Sequence, residues 1–339
     1  MLNYAKKLNE ILKPHPSSGI KVLDLFAGCG GLALGFESLG FETVGFEKEL
    51  DAAATYSTNL LGNCLEIALH PDYCYPDAQV IIGGPPCQPF SVGGHQRGNK
   101  DKRDGLPVFL AAVKQIQPEI WLFENVRGLL YANKWYFEEM LKEFAALGYS
   151  IEYRLLNAVD FAVPQNRERL FVVGHKGGFK FPQPENRRLT VAEAIDDFMT
   201  TTPPEAKFLT PSMDEYVKKY EIASKCITPR DLHPDRPART LTCRNIAAPT
   251  GDMQRIKLAD GRRRRLLIRE AARLQSFPDW FEFAGNETSQ FYQIGNAVPP
   301  LMAQRLAHSV KEYLEHGRRL AHSEMTEIPL SINKQLSLF

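Results

Sequence analysis

From residue 20 onward, short apolar runs alternate with longer stretches whose apolar positions recur at helical spacing. Residues 20–26 read as a strand entering a glycine-rich turn, 32–39 as a helix, 43–47 as a strand and 50–61 as a helix. The series continues with a strand at 79–82, a helix at 107–117, a strand at 120–123, a helix at 134–147 and strands at 151–158 and 170–173. A further strand is expected within 63–75, where the alternation is blurred. This rhythm predicts an α/β fold, a doubly wound, mostly parallel, Rossmann-like sheet with its ligand crevice at the carboxyl ends of the strands.

Beyond residue 175 the pattern breaks. Prolines at 182, 184, 203, 204, 211, 229 and 234 punctuate the next sixty residues, with periodic runs only at 191–199 and 213–223. A second, smaller domain is expected at 179–291. Helical periodicity returns at 301–314, so the main domain is drawn as 1–178 plus 292–325, followed by a loose tail at 326–339.

Composition narrows the class. A hydrophobic fraction of 44% with 24% charged residues excludes wholesale disorder. No apolar run approaches the roughly 18 residues of a membrane span, and the first sixteen residues lack the pattern of a secretory signal. Six cysteines, at 29, 64, 74, 87, 226 and 243, form no CxxC pair. Neither a metal site nor a disulfide framework is expected, and a reducing cytoplasm is the expected setting. The net charge of +1 hides an uneven distribution: residues 255–273 hold eight Arg/Lys against two Asp/Glu, a local net of +6, which leaves −5 for the rest. Such a concentration suits either a polyanion docking at one place or a solvated turn.

Four segments carry candidate chemistry. In Asp24-Leu-Phe-Ala-Gly-Cys-Gly-Gly31, closely spaced glycines after a strand let a cofactor approach the backbone, and Glu47, 19 residues after Gly28, is placed to hold ribose hydroxyls. The glycines alone suit NAD as well. In Gly83-Gly-Pro-Pro-Cys-Gln-Pro-Phe-Ser91, two prolines stiffen the approach to Cys87, which ends a strand as a nucleophile would. The glycine-rich, charged stretch that follows, through Arg97 to residue 105, suggests a lid. Glu124 and the arginines of Gln165-Asn-Arg-Glu-Arg169 end or begin neighbouring strands, so a carboxylate and two guanidiniums are expected near the thiol.

In this order DLFAGCGG, GGPPCQPFS, ENV, QNRER, RPARTLT (236–242) and GNAVPP (295–300) resemble the cytosine-C5 methyltransferase family over roughly residues 20–310. The resemblance implies the S-adenosylmethionine-dependent methyltransferase fold, a target-recognition role for 179–291 and double-stranded DNA as partner. It implies Cys87 adding to C6 of a flipped-out cytosine, Glu124 at the N3 edge, Arg169 at O2 and Arg167 bracing Glu124. It places S-adenosylmethionine against Phe26, Gly28, Gly30, Glu47, Pro86 and Asn296. Two departures stand out: Glu66 occupies the place where the family usually has Asp in its third cofactor motif, and the recognition stretch is short. Ser91, Arg97, Arg244, Arg262, Arg263, Arg264 and Arg265 are the expected DNA contacts. The compact chain favours a monomeric enzyme of bacterial restriction–modification type. A tRNA cytosine methyltransferase is the alternative, although that branch's Cys-Phe-Thr element is absent, the nearest sequence being Cys226-Ile-Thr228. The final residues, Gln335-Leu-Ser-Leu-Phe339, resemble the peptide by which bacterial polymerases dock on the replication sliding clamp.

Overall fold

The computed structural model describes residues 3–86, 104–131, 133–199, 201–223, 225, 230–247 and 252–320, with 316–320 described by backbone alone. Cys87, Ser91, Arg97, the expected lid through residue 103 and the clamp-like tail at 335–339 lie outside the described residues.

A short helix, α1 (Tyr4–Ile11), precedes β1 (Lys21–Leu25), α2 (Gly31–Glu37), β2 (Glu42–Glu47), α3 (Leu50–Asn59), β3 (Cys64–Glu66) and β4 (Val80–Gly83). Then come α4 (Leu106–Ile116), β5 (Ile120–Val126), α5 (Lys134–Ala146), β6 (Ser150–Asn157), β7 (Gln165–Asn166) and β8 (Glu168–His175). Seven of these strands form one sheet in the order β3-β2-β1-β4-β5-β8-β6. The first five pair in parallel, while β8 runs antiparallel to both β5 and β6. Only residues 158–167 separate β6 from β8. That is too few for the crossover that parallel neighbours require, so the chain folds back on itself. The blurred strand of the sequence is β3, three residues at the sheet edge.

The central strands β4 (VIIG) and β5 (IWLFENV) are apolar on both faces because helices cover both. On one face Leu23, Leu25, Ile81, Trp121 and Phe123 pack with Phe109 of α4 and Phe144 of α5. Trp121 fits only because its partner across the ladder is Gly174, where a Cβ would lie 2.0 Å from the indole. The opposite face carries Val22, Ile82 and Leu122 against α2 and the C-terminal helix. Strand order reverses between β1 and β4, which opens the crevice at their carboxyl ends.

The second half adds α6 (Val191–Met199), α7 (Pro211–Ala223), β9 (Ala238–Arg239), α8 (Cys243–Ile246), β10 (Arg255–Lys257), β11 (Arg263–Arg265) and α9 (Ile268–Leu274), then α10 (Glu287–Asn296) and α11 (Pro300–Leu320). β10 and β11 make an antiparallel ribbon, and β9 pairs in parallel with β7. The larger apolar cluster continues through this region: Val191, Ile195, Leu241, Ile246, Ile256, Ala272 and Phe277 belong to the same core as Val22 and Ile82. A separate small core, Leu209, Val217 and Met253 with Met213, lies under α7. No helix of the described residues is long and apolar enough to cross a membrane.

The closest helix packing is that of α2 on α11. A Cβ on Gly35 would stand 2.4 Å from the Gln304 nitrogen and 2.5 Å from the Ala303 carbonyl carbon, both backbone atoms that have no room to move. Gly35→Ala is therefore expected to destabilise by about 1–3 kcal/mol through overpacking, outweighing the ~1 kcal/mol that alanine contributes in a helix. Urea unfolding checks this as a lower midpoint at unchanged slope.

Candidate active site

The turn after β1 is shaped by left-handed backbone at Phe26, Gly28 and Gly30, with φ of 59°, 55° and 86°. A side chain on Gly30 would strike Tyr56 and Leu60 within 2.8 Å, whereas the space about Gly28 is open to 4 Å. The Glu47 carboxylate, at the end of β2, locks this turn. Its Oε2 accepts from the Gly28 amide at 2.9 Å, and its Oε1 accepts from the Lys48 and Glu49 amides at 2.8 and 3.0 Å. Three of its roughly four acceptor positions are thus used, which leaves one for a ligand hydroxyl. Glu66 stands level with Glu47 in the β2–β3 register and is exposed. Leu50 and Leu65, both exposed on adjoining positions, add apolar surface that the motifs did not flag.

Beneath the turn lies Asp24, 1% exposed, with neither oxygen hydrogen-bonded to a side chain or well-placed amide. Burial, and next the nearby Glu47 charge, push its pKa from 3.8 to about 8, with the Ala33 amide acting in the opposite sense. Burial also pushes the Cys29 thiol of the same turn up to about 12, so it is an inert core thiol. The four described cysteines are all free.

The turn after β4 meets the end of β5. Asn125 donates from Nδ2 to the Pro85 carbonyl at 3.1 Å, fixing the Gly84-Pro85-Pro86 path that leads to Cys87. A Cβ on Gly84 would lie 3.8 Å from Glu124 Oε2 and 3.9 Å from the Phe26 carbonyl, which places this turn beside both groups. Pro86 accepts from the Gly105 amide at 2.9 Å. A Cβ on Gly105 would touch both Pro86 Cδ and the Phe26 ring, which marks where those two groups converge. Phe26, Pro86 and Glu124 therefore converge at the strand ends, in the same turn region as Gly28 and Glu47.

The two arginines of QNRER divide their work differently from the expected roles. Arg169, in β8, places Nε 2.7 Å from Glu124 Oε1, with both side chains largely buried. Its Nη1 donates to the Glu168 carbonyl at 2.8 Å. Arg167 does not brace Glu124. It is buried, and donates to the carbonyls of Leu241 at 2.7 Å and of Gly295 and Ala297 at 3.0 Å each. Burial, and next the Arg169 charge, pull its guanidinium well below the ordinary arginine range. Gln165 works beside it. Its Oε1 accepts from the Leu241 amide at 2.9 Å and its Nε2 donates to the Leu274 carbonyl at 3.2 Å. Sequence reading missed Gln165 and Asn125 as positioning residues although both sit inside quoted motifs. Asn296 ends α10 with an exposed side chain, and the nearby Val298 carbonyl closes on Gly31 at the start of α2, 2.5 Å from where a Cβ would stand.

The arginine run needs correction as a DNA-contacting surface. Arg264 is completely buried and forms a two-pronged ion pair with Glu270, Nη2 to Oε1 at 2.6 Å and Nη1 to Oε2 at 3.0 Å. Arg263 is held by Asp231 and Asp214, and Arg265 donates to the Ala247 carbonyl at 2.8 Å. Arg262 pairs with Asp260 at 2.7 Å and lies over the Phe208 ring. Arg255, also buried, is matched by Glu221 and Asp231. Arg255, Arg263 and Arg264 thus serve as internal ion pairs of the β10–β11 ribbon, whereas the Arg262–Asp260 pair is exposed. Arg244, on α8, is exposed.

Residues 20–312 match C-5 cytosine-specific DNA methylase, and the chain belongs to that family. It is a DNA cytosine-C5 methyltransferase. It is similar to the type II methyltransferase M.AplI of Arthrospira platensis, 55% identical over 322 residues that cover 93% of each protein. The type II methyltransferase M.FnuDI of Fusobacterium nucleatum is 36% identical across 89% of this chain and 97% of its own length. The solved structure of the Entamoeba histolytica methyltransferase EhMeth superposes with a TM-score of 0.68, covering 87% of this chain and 98% of that one. At 17% identity, it shows the shared fold alone.

The buried Asp24 makes stability depend on pH. The folded protein keeps this proton up to about 8, whereas the unfolded chain releases it near the usual 3.8. Its contribution is full below that lower value and is lost as pH rises through the folded one. Asp24→Asn keeps the shape and removes the ionisation. The variant should gain stability relative to the wild type steadily as pH rises from about 5 to 8. Urea unfolding at several pH values measures this, and a difference independent of pH would refute it.

Proposed function

We propose that this enzyme methylates C5 of a flipped-out cytosine within a specific short sequence of double-stranded DNA, using S-adenosylmethionine and a covalent bond from Cys87 to C6. The observation that carries the reading is the Glu124–Arg169 pair at 2.7 Å, held over the turn that leads to Cys87. The residues present fit the cofactor. The open, left-handed Gly28 gives it room, the remaining acceptor position of Glu47 suits a ribose hydroxyl, and Glu66, level with Glu47, would face the adenine side. Phe26 and Pro86 would border the methyl-donating end, and Asn296 the far edge.

Cytosine C5 is a weak nucleophile in an electron-poor aromatic ring. Addition of the Cys87 thiolate at C6 breaks that aromaticity and leaves an enamine whose nucleophilic carbon is C5. Electron density then moves toward N3 and O2. Glu124 shares a proton at N3 and accepts from the exocyclic amine. Arg169 holds Glu124 through Nε, and its Nη2, which makes no hydrogen bond among the described residues, is the donor left to meet O2. When bound, S-adenosylmethionine supplies an electrophilic methyl group. Loss of the C5 proton and departure of the Cys87 sulfur then restore the aromatic ring.

Residues 179–291 are assigned to target recognition, with the enzyme a monomer acting as the modifying half of a restriction–modification pair that protects host DNA. Type II methyltransferase relatives along nearly the whole chain support this over the tRNA alternative. On this reading the tail at 335–339 would bring the enzyme to newly replicated DNA through the sliding clamp.

Cys87→Ser should bind S-adenosylmethionine as the wild type does and transfer no methyl group, because a neutral hydroxyl adds poorly to C6. Wild type should form a denaturation-resistant adduct with duplex DNA containing 5-fluorocytosine. Glu124→Gln should lower kcat by about 10²–10⁴-fold with cofactor binding retained. Methyl transfer without any adduct would overturn the covalent route. Single-base mapping of 5-methylcytosine in DNA from expressing cells reports activity and target together.

A further inference from the structure

With Arg263, Arg264 and Arg265 engaged internally and Arg262 paired to Asp260 at the surface, another set of arginines offers itself to DNA. They surround a cleft of about 180 Å³ lined by Asn166, Arg230, His233, Arg236, Arg239 and Gln254, among others. Arg236 is exposed and has no ion-pair or hydrogen-bond partner for its guanidinium among the described residues. Arg230 and Arg239 share one carboxylate, Asp252, at 2.8 and 3.3 Å, and the Arg239 side chain is 45% exposed. Asp231 also lines the cleft, but it is already occupied by Arg255 and Arg263. Asp235, next to Arg236 in the chain, is exposed and does not line the cleft. The three arginines and Asp252 therefore leave a net of +2.

The cleft floor points to a hydrated anion. Gln254 is 1% exposed, and its Nε2 is held by the carbonyls of Arg239 and Thr240 at 3.3 and 3.2 Å, so its amide cannot flip. Its Oε1 and His233 Nε2 are both buried without a partner. A water molecule has two protons, enough to satisfy the Gln254 acceptor and an oxygen of a phosphate seated at the arginines. The location fits the substrate. Arg239 stands opposite Asn166 in the β7–β9 pairing, and Asn166 precedes Arg167 and Arg169 in the chain.

We propose that Arg236 and Arg239, with Arg230 behind them, form the site that grips a backbone phosphate of the DNA beside the target cytosine. This rests on the DNA reading above. It assigns phosphate contact to the 230–239 segment rather than to the arginine run at 262–265.

The test measures binding of the full-length enzyme, in the presence of S-adenosylhomocysteine, to a cognate duplex and a scrambled duplex across a range of salt. Arg236→Ala/Arg239→Ala should weaken both duplexes by a similar factor and flatten the slope of log affinity against log salt by about two units. Arg262→Ala should leave the slope unchanged. Arg236→Lys/Arg239→Lys should restore it, because a phosphate accepts a point charge whereas a base edge needs the planar fork. Thermal unfolding checks that each variant is folded, and the lysine pair supplies the comparison if the alanine pair is not. An unchanged slope in the folded alanine variant, or a slope the lysines leave flattened, would overturn the proposal. A loss confined to the cognate duplex would overturn it too, by making the cleft a base reader. A wild type that binds neither duplex would sink the DNA reading along with it.

Discussion

The site depends on one electrostatic requirement: the Glu124 carboxylate, largely withdrawn from water, must have a cation beside it. Arg169 supplies that cation only because β8 runs antiparallel to β5. In that register Arg169 lies opposite Val126, at the strand end where Glu124 also projects. A parallel β8 would carry its first residues to the opposite edge of the sheet. The reversal made by residues 158–167 is thus the feature that brings the QNRER arginines to the ENV carboxylate. The rest of the crevice is arranged around this pair. Asn125 ties the turn after β4 to the same strand end, and the Phe26 turn closes the adjoining side.

Much of the sheet was legible because buried parallel strands leave an unambiguous trace. VIIG and IWLF are too short and too uniformly apolar to be anything but central strands between helical stretches. The ligand-facing turns were legible for a related reason, since glycines and prolines after strands report backbone shape directly. Strand direction was not. The apolar pattern of β8 is the same whichever way it runs, and only the shortness of the 158–167 connection limits the choice.

Side-chain roles were harder to read where the deciding partner is remote in sequence. Arg167 and Arg169 are two residues apart and chemically identical. One reaches carbonyls 74, 128 and 130 residues away, and the other a carboxylate across the ladder. The arginine run misled for the same reason. Its local charge is high, but Asp231, Asp214 and Glu221, which neutralise much of it, lie outside the run, and Glu270 lies where the count treats it as minor. Charge counted along a chain is not charge presented to a partner. Folding a guanidinium against a carboxylate removes both from view.

The grip of Arg167 and Gln165 on the segment that follows α6 has an evolutionary side. Their partners there are the main-chain groups of Leu241 and Leu274, present whatever residue occupies those positions, and one side chain, Gln275, whose Oε1 accepts from Gln165 Nε2. A join made to peptide groups tolerates sequence change in the segment it holds. Substitutions can accumulate between residues 179 and 240 without loosening the segment from the strands that carry Glu124 and Arg169. On the proposed assignment of 179–291 to target recognition, the same catalytic body can be fitted to new DNA targets, with chemistry and specificity inherited separately.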